Sequence, residues 1–201
     1  MKFSQQPHSN IYVAGDILSQ GHTDVGSVET KGGQQNFISK FSWSRYFENY
    51  FKSVNNVSLA GASNSRNLRR MIEFGESILE EECTSWIFLW QPSHPRNNEI
   101  HIEDYNIWLQ YDYVNDQVIV DDPDFYFERP DYIQKHCDDA LKYFRDADKM
   151  MSPKFVNNRF FEQCILLQEF ATNRQLRMLL LLSNRARLPW DDFLHLSLIH
   201  I

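Results

Sequence analysis

Toward the end of the chain Asp192 stands three residues before His195, in the run Pro189-Trp190-Asp191-Asp192-Phe193-Leu194-His195. On a turn or short helix this spacing lets the carboxylate hold one imidazole nitrogen while the other takes a proton, which is what a general base requires. A pair of this kind also arises on ordinary surfaces, so it gains meaning only from company. Two apolar runs supply that company: residues 11–14 end at Gly15-Asp16, and residues 57–60 end at Gly61. Two strand ends thus offer tight turns with exposed backbone amides. In an open parallel sheet, sites form at the carboxyl ends of the strands where such turns meet.

The elements that must position these residues are legible as an alternation. Runs 11–14, 57–60, 86–90 and 178–182 are short and apolar on both parities, as central strands covered on both faces are. Residues 42–51, SWSRYFENYF, carry Trp43, Tyr46, Phe47 and Tyr50 at helical spacing. Leu68, Met71, Ile72, Ile78 and Leu79 form a second helical stripe, with Ser63, Asn64 or Ser65 as its N-cap. Residues 132–146 predict a polar helix, and residues 153–172 predict one that buries Val156, Phe160, Cys164, Leu167 and Ala171. Strands alternating with helices predict an α/β fold with a central parallel sheet, in one domain over residues 1–201.

An insertion at about residues 93–130 interrupts the rhythm. It is aromatic and acidic, and Trp108–Tyr113 and Val118–Val120 flank Asn115-Asp116 as the arms of a hairpin. Trp108, Tyr111, Tyr113, Phe125, Tyr126 and Phe127 offer rings to a sugar, to a partner or to the core.

The order of these parts resembles the SGNH or GDSL hydrolase family. Gly15-Asp16 is similar to the start of its first block, Asn56-x-Ser58-x-x-Gly61 to its second, and Asp192-x-x-His195 to its last. The resemblance implies a flavodoxin-like three-layer α/β sandwich and the hydrolysis of a small-molecule or glycan ester, such as an O-acyl group on a carbohydrate. It implies His195 as base, Asp192 as its orienting group, and oxyanion or cleft roles for Asp16, Ile17, Gly61 and Asn64. Gly61-Ala62-Ser63-Asn64 is also similar to SGNH-like proteins of bacterial viruses, which implies a virion component as one setting. The family places its serine nucleophile directly after Gly-Asp, and here that position is Ile17, which has no nucleophilic atom. Its third block, with an oxyanion asparagine, is replaced by Trp90-Gln91-Pro92-Ser93, where Gln91 is the available amide donor. Three readings follow: Ser19 replaces the nucleophile through a shifted turn, the chain is altered or cut short near His200-Ile201, or the cleft is kept for binding alone. The last is a non-catalytic glycan-binding or assembly protein.

Composition narrows the remaining classes. The 201 residues are 42% hydrophobic and 23% charged, with net charge −7, which is globular and unsuited to a sequence-blind grip on nucleic acid. The basic run Arg66-Asn67-Leu68-Arg69-Arg70 reads as a solvated helix face. Cys83, Cys137 and Cys164 show no paired spacing, and no signal pattern or apolar run of roughly 20 residues occurs, so a reducing cytoplasmic setting without membrane insertion is expected. The histidines form no metal-binding spacing, and Asp121-Asp122-Pro123-Asp124 lacks the glycine and alternating oxygens of a calcium loop, so it reads as a solvated acidic turn. Neither GxGxxG nor a P-loop occurs; no metal or cofactor is expected.

Overall fold

The computed structural model describes residues 9–15, 47–122 and 130–181. Within them the chain is α/β. Four strands, β1 (Asn10–Ala14), β2 (Ser53–Asn56), β3 (Trp86–Trp90) and β7 (Arg177–Leu180), form an all-parallel sheet in the order β2-β1-β3-β7. β1 lies inside it and is apolar on both sides. Tyr12 and Ala14 face one cluster with Phe88 and Trp90, while Ile11 and Val13 face the other with Leu89.

The first face is covered by helices α1 (Asn64–Ser77) and α3 (Pro153–Asn173). All five residues expected to line α3's inner face, from Val156 to Ala171, are buried there. Each helix starts on a serine cap: Ser63 Oγ accepts from Arg66 N–H at 3.0 Å, and Ser152 Oγ accepts from Phe155 N–H at 3.2 Å. Gly75 lets the two helices approach, because a Cβ there would lie 2.6 Å from the ring of Phe170.

β2 precedes its expected place at residues 57–60. Asn56 Oδ1 accepts from Ser58 N–H at 2.9 Å, and this Asx turn bends the chain out of the ladder just where the apolar run begins. Val57 and Leu59 still donate to Val13 and Gly15 carbonyls, at 2.9 and 3.1 Å, so the run follows β1 without being a regular strand. Of the expected helix at 42–51, the described part is residues 47–51, which hold one 3-10 turn at 47–49 and then bend into β2.

The insertion builds its own layer. β4 (Asn98–Ile102), β5 (Ile107–Asp112) and β6 (Gln117–Val120) form an antiparallel sheet, with β5 between the other two. The β5–β6 hairpin is the expected one, and β4 extends it by a strand. Period-two alternation divides β5: Ile107, Leu109 and Tyr111 join Val118 and Val120 against helix α2 (Asp131–Met150). Trp108, Gln110 and Asp112 point the other way, toward α1 and the loop before it.

That docking overturns the solvated reading of the basic run and of Asp121. Arg66 and Asn67 are buried, and Arg66 Nε donates to Asp121 Oδ2 at 2.9 Å. Arg69 pairs with Glu99 at 3.1 Å and Asp121 at 3.4 Å while its guanidinium lies 3.9 Å over the Trp108 ring. The carboxylates of β4 and of the residue after β6 land on the stripe and take most of it out of water. Among the described residues, no helix is long and apolar enough to cross a membrane, and no histidine, cysteine and carboxylate cluster is fit to hold a metal ion.

Candidate functional site

The parallel register brings three turns together at the carboxyl ends of β1, β2 and β3. Gly15 follows β1, the loop 57–63 follows β2, and Gln91 follows β3 with its N–H on the Ala14 carbonyl at 2.9 Å. Asp16, Ile17, Ser19, Asp192 and His195 lie outside the described residues.

Gly61 adopts φ +74°, a left-handed conformation that side chains disfavour. A Cβ there would stand 2.6 Å from Ile119 Cδ1 and 2.8 Å from Asp112 Cβ, so the antiparallel sheet rests directly on this turn. Asp112 in turn organises the hairpin, accepting from Val114 N–H at 3.1 Å and Asn115 N–H at 3.3 Å. Asn97 completes the join: its Nδ2 donates to the Gly61 and Ala62 carbonyls at 3.2 and 3.1 Å, and its Oδ1 accepts from Tyr113 N–H at 2.9 Å. Ser63 N–H donates to Gln110 Oε1 at 3.2 Å.

Asn64 braces the loop after β3. Its Nδ2 donates to the Ser93 carbonyl at 3.2 Å, and Ser93 N–H returns a bond to Asn64 Oδ1 at 2.7 Å. Asn67 Nδ2 adds a bond to Ser93 Oγ at 3.2 Å. Both ends of the Asn64 carboxamide are therefore engaged by protein. Gln91 is buried at the end of β3. Ser58 Oγ, in the loop beside Gly15, is buried and has no hydrogen-bond partner among the described residues.

One residue of this neighbourhood carries acid–base character. His94 follows Ser93 and stacks on Tyr113, with centroids 4.8 Å apart and planes 12° from parallel. Its Nδ1 accepts from Arg96 N–H at 3.3 Å. Burial, then the Arg96 guanidinium, lowers its pKa below the ordinary histidine value, against the opposing pull of Asp112 and Asp148. Arg96 is held by Asp148 at the carboxyl end of α2. Spacing offered no reason to single out His94. The local signal is its place between Pro92 and Pro95, directly after an apolar strand that ends at a site edge.

The aromatic residues are largely committed. Trp108 lies between Arg69 and His101, Tyr111 stacks on Phe144 in the core, and Tyr113 carries His94. Phe125, Tyr126 and Phe127 lie outside the described residues. The assembled site offers a tightly held turn, whose amides at Leu59, Ala62 and Ser63 are donated to protein acceptors, and beside it the half-buried imidazole of His94, a group suited to meeting an oxygen of a ligand. Comparison with family models, with characterised proteins and with solved structures gave no match.

Proposed function

We propose that the chain carries an SGNH/GDSL-type hydrolase scaffold of flavodoxin-like, three-layer form, built for a small ester or a carbohydrate O-acyl group and disarmed at its nucleophile position by Ile17. The parallel order β2-β1-β3-β7 supports this reading above all else, because it sets the turn at Gly15, where the first block of the family would lie, between the turns at Gly61 and Gln91 that follow its two neighbouring strands. In this reading His195 is the base, Asp192 orients it, and backbone amides near Ile17 face the acyl oxygen, whereas the amides of Leu59, Ala62 and Ser63 beside Gly61 are already donated to Gly15, Leu59 and Gln110. Ser19, two residues after Ile17 in the sequence, is the hydroxyl left to act as nucleophile in this reading.

A non-catalytic glycan-binding or assembly role is the second reading, and Ile17 favours it, since isoleucine cannot attack a carbonyl. Trp108, Tyr111 and Tyr113 already contact other side chains, which places the weight of that reading on the strand-end turns rather than on the aromatic insertion.

Labelling with a fluorophosphonate, followed by peptide mapping, separates the two. The expected result is no adduct on the folded wild type and a single adduct on the Ile17→Ser variant, mapped to the introduced hydroxyl and lost again when His195→Ala is added. A His195-dependent adduct on wild type would instead identify a working serine. No adduct in either protein would sink the hydrolase reading.

A further inference from the structure

We propose that His94 is a ligand-contacting residue of this site, donating its Nε2–H to an oxygen of the bound molecule, which is the carbonyl oxygen of an ester if the hydrolase reading above holds. The residue is fixed from both sides. Ser93, before it, is bonded to Asn64 and Asn67 at the start of α1. Asn97, after it, donates from its side chain to Gly61 and Ala62 and from its backbone N–H to the His94 carbonyl at 2.9 Å. The imidazole is therefore carried on a turn clamped to the Gly61 loop rather than on a free surface segment.

Its chemistry is equally constrained. Nδ1 accepts from a backbone N–H, so a neutral ring must carry its proton on Nε2. The Tyr113 ring supports one face. Nε2 has no hydrogen-bond partner among the described residues, and His94 is half-buried rather than sealed, so this donor is one that a ligand oxygen could satisfy. By contrast His101 directs Nε2 to Asn106 Oδ1 at 3.2 Å. A neutral N–H donor suits a carbonyl, ether or hydroxyl oxygen, and protonation would cost the ring its bond from Arg96 N–H.

The test uses the full chain. Long-range proton–nitrogen spectra at pH 7.5 should find the His94 proton on Nε2, and titration with triacetin should shift that nitrogen saturably while His101 and His136 stay in place. In an Ile17→Ser background with 4-nitrophenyl acetate turnover, His94→Phe keeps a ring on Tyr113 without the donor and should lower kcat/KM about tenfold or more. His94→Gln, which places an amide N–H near the Nε2 position, should recover most of that loss. Unchanged turnover in His94→Phe, or an equal loss in both variants, overturns the proposal. If Ile17→Ser shows no turnover, the hydrolase reading fails separately and the spectra decide: a triacetin-responsive Nε2 supports His94 as a ligand contact, and an unresponsive one overturns it. The same spectra decide if His94→Phe does not fold.

Discussion

Gly61 shows how one residue ties the site to the rest of the protein. Its φ of +74° costs any side chain strain, and its missing Cβ is the space into which Ile119 and Asp112 pack. Gly61→Ala is expected to lower stability by about 2–4 kcal/mol, from left-handed strain and overpacking together. Urea unfolding of wild type and variant checks this; a loss below about 0.5 kcal/mol would mean that the antiparallel sheet moves aside at little cost. The turn at Gly61 was legible in the sequence because an apolar run ended on a glycine. What presses on it was not, since Asp112 and Ile119 lie far along the chain and nothing local announces them. The Ser63 cap was one of three adjacent candidates, and only its bond to Arg66 N–H separates it from Asn64, whose side chain serves Ser93.

Between elements, the strongest join runs from α1 to the antiparallel sheet. Arg66 and Asp121 have side chains each only 7% exposed, so their pairing takes place where water screens little. Arg66 Nη1 also donates to the Val57 carbonyl at 2.8 Å, which carries the join on to the loop after β2. Removing one partner of such a pair strands the other, and Asp121→Ala is expected to cost about 3–5 kcal/mol. Arg66→Met in the Asp121→Ala background should recover part of that loss, because the most buried of the guanidinium charges that Asp121 paired is gone, with Arg69 still held by Glu99; equilibrium unfolding of the single and double variants reads the difference. Strictly additive losses would show that the two side chains do not act as a pair. The strands and helices themselves followed from periodicity, which is why β1, β3 and α3 lie close to where the pattern puts them. The basic stripe misled because a helix face reads the same whether water or a distant carboxylate covers it, and Glu99 and Asp121 stand 30 and 55 residues from their arginines. β4 escaped notice for a related reason: Asn-Glu-Ile-His-Ile has only two apolar positions, and they gain a face only once β5 lies beside them.

At the scale of the whole molecule, two of the three hydrophobic clusters among the described residues meet across a polar seam, one on the helix-covered face of the parallel sheet and one between the antiparallel sheet and α2. The alternation of short two-sided runs with helices made the parallel sheet readable, whereas the seam is built from long-range pairings that no window of sequence contains. His94 sits at the rim of that seam, among Arg96 of its own loop, Asp112 of β5 and Asp148 of α2, and its pH response reports on the join as a whole. Because burial and then Arg96 lower its pKa in the folded protein, the unfolded chain takes up the proton first as pH falls through about 6.5. The stability contributed by the neutral ring is therefore fully present above that value and is lost between it and the lower folded value. Unfolding free energies from pH 7.5 to 5 should fall more steeply for wild type than for His94→Gln, with the difference between the two slopes no larger than about 1.4 kcal/mol per pH unit for one proton. Asp116 and Asp146, whose carboxyls are held down by Arg145 and Lys149, act in the same direction but at lower pH and equally in both proteins, so they cancel in the comparison. Parallel curves would show that the imidazole is as easily charged in the folded protein as in the unfolded chain, and that its contact with Arg96 N–H does not hold the neutral form.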